Sequence, residues 1–161
     1  MEKTKKIAVL LILYVAFSCS KQKIEADILI QNGSVYNGID DQATNNSIAI
    51  KDDKIVFIGN ENSVLISTKK IIDATGLIVS PGFIDPHTHA DRDLKNPKNS
   101  HNKPFLFQGI TTVVTGNDGD SFYPTSKYID VYTSQGIGTN VVPLFGHGTI
   151  RQQVMGKSDR K

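Results

Sequence analysis

From Ser80 onward the sequence alternates β-branched runs with helix-compatible stretches, and this alternation constrains the fold more than any other feature. Phe83-Ile84-Asp85 opens a strand after Pro81-Gly82. Residues 102–108 fit a short helix stopped by Gly109. Ile110-Thr111-Thr112-Val113-Val114-Thr115 is a buried strand by composition. Residues 124–135 carry Tyr128 and Tyr132 at helical spacing and end at Gly136. Residues 140–145 read as a third strand, although Pro143 cannot donate to a ladder, and residues 149–155 begin a third helix. Strand followed by helix, three times over, means βα units on a parallel sheet.

The preceding residues, 25–79, follow a different pattern. Asp27-Ile28-Leu29-Ile30-Gln31 is a short strand ended by the turn pair Asn32-Gly33. Ser47–Lys51 and Ile55–Gly59 flank Asp52-Asp53-Lys54 as a hairpin. Lys70–Asp73 and Leu77–Val79 add two short strands, and residues 37–46 form a polar loop. The expected architecture is therefore α/β: a small antiparallel β domain over residues 19–79, then βα units over residues 80–161.

Residues 1–18 read as a signal peptide. Lys3, Lys5 and Lys6 precede an apolar run from Ile7 to Phe17, which ends in Ser18-Cys19-Ser20. The run falls short of the roughly 20 apolar residues a membrane-spanning helix needs. Ala16-Phe17-Ser18-Cys19 is similar to a lipobox, with Phe17 bulkier than usual. Cys19, the single cysteine of the chain, sits where a lipoprotein would carry its acyl anchor. An ordinary cleaved signal with an incidental cysteine is the alternative. Lipidation at Cys19 predicts an exported protein tethered to a membrane on its periplasmic or cell-surface side. One cysteine excludes an internal disulfide framework. With 18 Lys+Arg against 16 Asp+Glu, the chain offers no electrostatic case for a nucleic-acid partner.

Three strand ends carry the residues capable of chemistry. In Asp85-Pro86-His87-Thr88-His89, alternation along an extended strand would point Asp85, His87 and His89 to one face. Two imidazoles on one face make a bidentate metal clamp, and Asp85 could orient a ring. A hydrogen-bonded histidine pair is the plainer reading. After the second strand, Thr115-Gly116-Asn117-Asp118-Gly119 would leave Asp118 exposed at the carboxyl end, as a ligand or merely in an Asx turn. After the third, Gly146-His147-Gly148-Thr149-Ile150-Arg151 offers His147 to a ligand and Arg151 to a carboxylate. Alternatively it is a helix entry with Thr149 as cap.

These motifs bring the chain to a family. Ile72-Asp73-Ala74-Thr75-Gly76, Pro81-Gly82-Phe83-Ile84-Asp85-Pro86-His87-Thr88-His89, residues 108–117 and Gly146-His147-Gly148-Thr149-Ile150-Arg151 resemble the amidohydrolase superfamily. Within it they look like the D-aminoacylase or N-acyl-D-amino-acid deacylase branch. The resemblance implies a metal-dependent hydrolase built on a (β/α)8 TIM barrel, with a small β-sandwich-like domain from the flanking sequence. It implies that His87 and His89 are metal-site residues, with Asp118 where many members have a metal-ligating cysteine. Zinc is the expected metal, with Asp85, His147 and Arg151 near substrate or ligands. The implied reaction is attack of a metal-activated water on the amide of an N-acyl-D-amino acid, giving a carboxylate and a free D-amino acid. A complete barrel takes about 250 residues. The catalytic aspartate is therefore expected beyond Lys161, and the chain is expected to be a truncated piece, inactive alone. A cyclic-amide hydrolase of the dihydroorotase or hydantoinase type is the competing enzyme reading. A non-catalytic surface lipoprotein is the competing reading from another class.

Overall fold

A computed structural model describes residues 21–159. The expected signal segment and Cys19 lie outside the described residues. Among those described, no helix is long and apolar enough to cross a membrane. The chain divides into two compact units between Pro81 and Gly82.

The first unit is built from β1 (Lys23–Gln31), β2 (Ser34–Val35), β3 (Ser47–Lys51), β4 (Lys54–Gly59), β5 (Leu65–Asp73) and β6 (Ile78–Val79). Its main sheet runs β4-β3-β1-β5, and β2 pairs with β6. The hairpin between β3 and β4 forms as expected around a two-residue turn, in which Asp52 takes a positive φ of 53°. Asn32 does the same at 65°, ending β1. The expectation of an antiparallel domain is corrected. β1 and β5 are parallel, from Lys23 opposite Leu65 to Gln31 opposite Asp73, and β2 and β6 are parallel too. A two-residue loop forces antiparallel pairing, whereas strands distant in sequence are free to pair either way. Ala26, Leu29 and Ala49 form the buried centre, with Phe57 and Ile66 packed against them.

One ionic cluster ties this sheet together. Asp27 on β1 accepts the Asp52 backbone N–H at 2.9 Å, and its carboxylate lies 2.8 Å from Lys69 Nζ on β5 and 3.7 Å from Lys51 Nζ on β3. The Asp52 N–H, then the Lys69 hydrogen bond, lower the Asp27 pKa to about 2.

The second unit contains β7 (Phe83–Asp85), α1 (Asp91–Lys95), α2 (Lys103–Leu106), β8 (Ile110–Thr115), α3 (Ser126–Gln135), β9 (Asn140–Pro143) and α4 (His147–Met155). Three parallel strands run β7-β8-β9, with Ile84 opposite Thr112 and Thr112 opposite Asn140. The unit is α/β, and its described residues form no closed barrel. β7 stops at Asp85, before Pro86, which has no N–H for a ladder. Pro143 is accommodated as the last residue of an edge strand, opposite Thr115. The ladder resumes at once, with the Leu144 N–H donating to the Thr115 carbonyl at 2.8 Å. Helix α1 escaped the sequence reading because Leu94 is its single large apolar residue. Leu94 is nonetheless fully buried and joins Ala90, Val113, Tyr128 and Tyr132 in the core. Phe122 stacks on Tyr128 at 3.9 Å between ring centroids, and Lys95 Nζ sits 4.1 Å from the Phe122 centroid.

The Asp27 cluster makes the sheet acid-sensitive in a defined window. Because the folded carboxyl titrates below its ordinary 3.8, its stabilising contribution is complete above that value and is lost as pH falls toward about 2. Asp27→Asn should therefore flatten the fall in urea midpoint between pH 4 and pH 2 relative to wild type. Parallel curves for the two proteins would remove Asp27 from the acid response.

Candidate metal centre

The residues at the carboxyl ends of β7 and β8 are placed by a buried threonine. The extended strand expected through His89 ends at Asp85, yet His87 and His89 still emerge together. Between them Thr88 is buried, and both its backbone N–H and its Oγ1 donate to the Val114 carbonyl, at 3.0 and 2.9 Å. Turning Thr88 inward turns its two neighbours outward. Their rings stand 5.7 Å apart in an edge arrangement at 67°. Asp85 Oδ1 accepts the backbone N–H of His87 at 3.1 Å. The carboxylate expected to orient an imidazole thus bonds the main chain of that histidine.

Asp118 comes from the loop after β8. Gly116 turns the chain at φ 79° against β9, so close that a Cβ there would lie 2.4 Å from the Leu144 carbonyl oxygen. Asn117 Nδ2 donates to the carbonyls of Val114 (3.0 Å) and Thr88 (3.2 Å), stitching this loop to the histidine loop. Asp118 then takes a left-handed conformation, φ 58°, which aspartate tolerates better than most residues. Its Oδ1 lies 3.4 Å from His87 Nε2 and its Oδ2 3.1 Å from His89 Nε2.

This donor set fits a divalent ion. One ligand atom from each of His87, His89 and Asp118 lies within 4.8 Å of the others, and all three residues are exposed. Donors sharing one tetrahedral zinc at about 2.1 Å stand roughly 3.4 Å apart, close to the 3.4 and 3.1 Å from the two imidazoles to separate oxygens of Asp118. Neutral nitrogen with anionic oxygen suits zinc and its first-row neighbours.

The third candidate strand end packs nearby without joining this group. The Gly119 carbonyl accepts the Thr149 N–H at 3.1 Å, and Thr149 Oγ1 exchanges hydrogen bonds with the Ser121 backbone. Thr149 therefore clamps the Asp118 loop to the first turn of α4 and does not cap that helix. His147 is the exposed first residue of α4. Arg151 Nη2 donates to the Ser158 carbonyl at 2.7 Å, so its guanidinium holds the chain that follows its own helix. Thr88 and Asn117 are the positioning residues the sequence reading left without a role. The signal for Thr88 was its place between two histidines, on the opposite side of the backbone.

No family model matches the chain. It is 30% identical over 152 residues to a D-aminoacylase from Alcaligenes xylosoxydans xylosoxydans, covering 80% of this chain and 31% of that protein. The chain is a homologue of the D-aminoacylase branch of amidohydrolases. It superposes with a TM-score of 0.73 and 29% identity on a D-aminoacylase structure described for its binuclear metal center, covering 84% of this chain and 32% of that one. An N-acyl-D-glutamate deacylase from Bordetella bronchiseptica, solved with zinc and a phosphonate mimic of the tetrahedral intermediate, gives 0.69 at 27% identity. That match covers 80% and 31% of the two chains. The chain spans about a third of the length of these relatives.

The close approach at Gly116 carries a prediction. Gly116→Ala must relieve a contact with backbone and abandon a left-handed φ, which should cost roughly 1–3 kcal/mol. The urea midpoint measures it; an unchanged midpoint would mean the loop does not need this glycine.

Proposed function

We propose that this chain supplies part of the metal site of an exported amidohydrolase that cleaves N-acyl-D-amino acids to a carboxylate and a free D-amino acid. One observation carries the reading. His87, His89 and Asp118 converge at the ends of adjacent parallel strands, in a chain homologous to D-aminoacylases. In this reading the three parallel strands are the opening of a (β/α)8 barrel, whose active sites form at the carboxyl ends of the strands. Export with an acyl anchor on Cys19 rests on the basic, apolar and cysteine order of the first residues.

His87 and His89 would each present Nε2 to the ion, and Asp118 would present a carboxylate oxygen. A divalent ion bound there supplies Lewis acidity toward a carbonyl oxygen and toward water. The protein's own part is to bring the ligands together before the ion arrives. Thr88 and Asn117 share the Val114 carbonyl, so the two loops are tied to one acceptor. The Asp118 charge offsets part of the charge of the ion, and the exposure of all three ligands leaves the site open to substrate and solvent. In this reading His147, the exposed first residue of α4, would lie on the substrate side of the site.

The experiment uses a full-length protein carrying this chain. Asp118→Asn keeps the turn chemistry but removes the anionic donor. It should lose at least one zinc per chain by elemental analysis and at least tenfold in release of D-amino acid from an N-acetyl-D-amino acid. Asp118→Cys should retain the metal and favour zinc more strongly, since thiolate is the softer donor. Wild-type zinc and turnover in Asp118→Asn would eliminate the ligand role. Turnover of hydantoins in place of N-acyl-D-amino acids would assign the chain to cyclic-amide hydrolysis, and absence of stoichiometric metal would leave the non-catalytic reading.

A further inference from the structure

Beneath the two ligand loops, Asp91, Thr115, Gly116, Phe122, Thr125 and Tyr128 belong to the wall of a cavity of about 10 Å³. That is room for a single water molecule. Tyr128 is 7% exposed, and its hydroxyl is buried without a protein hydrogen-bond partner among the described residues. The same holds for Thr125 Oγ1, nearly one turn before Tyr128 on the entry to α3. A buried hydroxyl left unpaired is costly, so each needs a partner. The Tyr128 ring cannot swing out to find one, because Phe122 stacks on its face and Lys95 lies 5.4 Å from its centroid. Tyr132, one turn on, shows the contrast: its hydroxyl donates to the Asp91 carbonyl at 3.4 Å.

We propose that the hydroxyls of Tyr128 and Thr125 hold one structural water in this cavity, and that through it Tyr128 is a positioning residue for the loops carrying His89 and Asp118. The cavity wall contains Asp91, two residues past His89, and Gly116, two residues before Asp118. A water has four hydrogen-bonding positions, so after satisfying two hydroxyls it retains two for the backbone lining the cavity. It thereby adds to the Tyr132–Asp91 hydrogen bond a link from α3 to the Gly116 side of the cavity. Burial raises the Tyr128 pKa, so its hydroxyl stays protonated and can donate to the water across the accessible pH range. The water site stands on the cavity and the hydroxyls; the positioning role also rests on the metal-site reading above.

The test uses the full chain with zinc alone as probe. Magnetisation transfer from water should reveal a long-lived water at the Thr125 and Tyr128 hydroxyls of the wild type. Tyr128→Phe should lose that signal and raise the zinc dissociation constant about three- to tenfold while leaving the urea midpoint within error. Thr125→Ser, which keeps the hydroxyl, should keep both the signal and the affinity. If Tyr128→Phe does not fold, Thr125→Val, of equal shape, takes its place with the same expectations. A dry cavity in the wild type overturns the water site. Unchanged zinc affinity in a variant that has lost the water overturns the positioning role. A wild type that shows the water but binds no zinc overturns the metal reading and the positioning role with it, and leaves the water site standing.

Discussion

The Val114 carbonyl is the point on which the candidate site depends. It lies one residue before the end of β8 and receives three donors: the Thr88 N–H, the Thr88 hydroxyl and the Asn117 amide. Two of these come from the loop after β7 and one from the loop after β8. Remove the carbonyl from that geometry and the histidine loop has no fixed relation to Asp118. The central strand is itself well seated, since Val113 is fully buried between α1 and α3 residues. Core packing thus fixes the strand, the strand end fixes one acceptor, and the acceptor fixes three metal-competent side chains.

The sequence was most informative where residue type and geometry are tightly coupled. A six-residue β-branched run and tyrosines four apart each admit few structures, and both elements formed close to their expected bounds. Strand direction in the β unit was not legible, because the partners β1 and β5 are joined by no short loop that would dictate it. Helix α1 was not legible because one leucine makes no period. At the site, the identities of His87, His89 and Asp118 were legible, but the reason they meet was not. Alternation along a continuous strand was the expected cause; the actual one is a hydrogen-bonded threonine after the strand has ended. Arg151 shows the opposite case, a guanidinium whose chemistry suggests a substrate and whose partner is a backbone carbonyl.

The α/β unit also carries apolar surface that its own elements leave open. Phe83 and Ile84 on β7 and Phe145 after β9 are each more than 60% exposed. Parallel sheets are ordinarily covered on both faces and rarely exist as three bare strands. Relatives three times the length of this chain have the material for such cover. The ligand geometry does not wait for it. The Thr88 and Asn117 hydrogen bonds that gather His87, His89 and Asp118 lie within β8 and the loops after β7 and β8, so this corner is a local structure of the α/β unit.

Position 118 must meet two demands at once, and they select aspartate from different directions. The backbone requires a left-handed conformation between Asn117 and Gly119, which asparagine and aspartate accept and which costs most other residues strain. A metal shared with the facing imidazoles would call for an anionic donor with reach to both, which the carboxylate offers with one oxygen each. Asparagine satisfies the backbone and fails the charge. Cysteine satisfies the charge once ionised but gives up the second oxygen and the left-handed preference. An aspartate where the resembling family often has cysteine is therefore more than a change of donor atom. In the metal-site reading it would give a harder ligand set while easing the turn that presents it, so metal preference and loop stability would change together through one side chain.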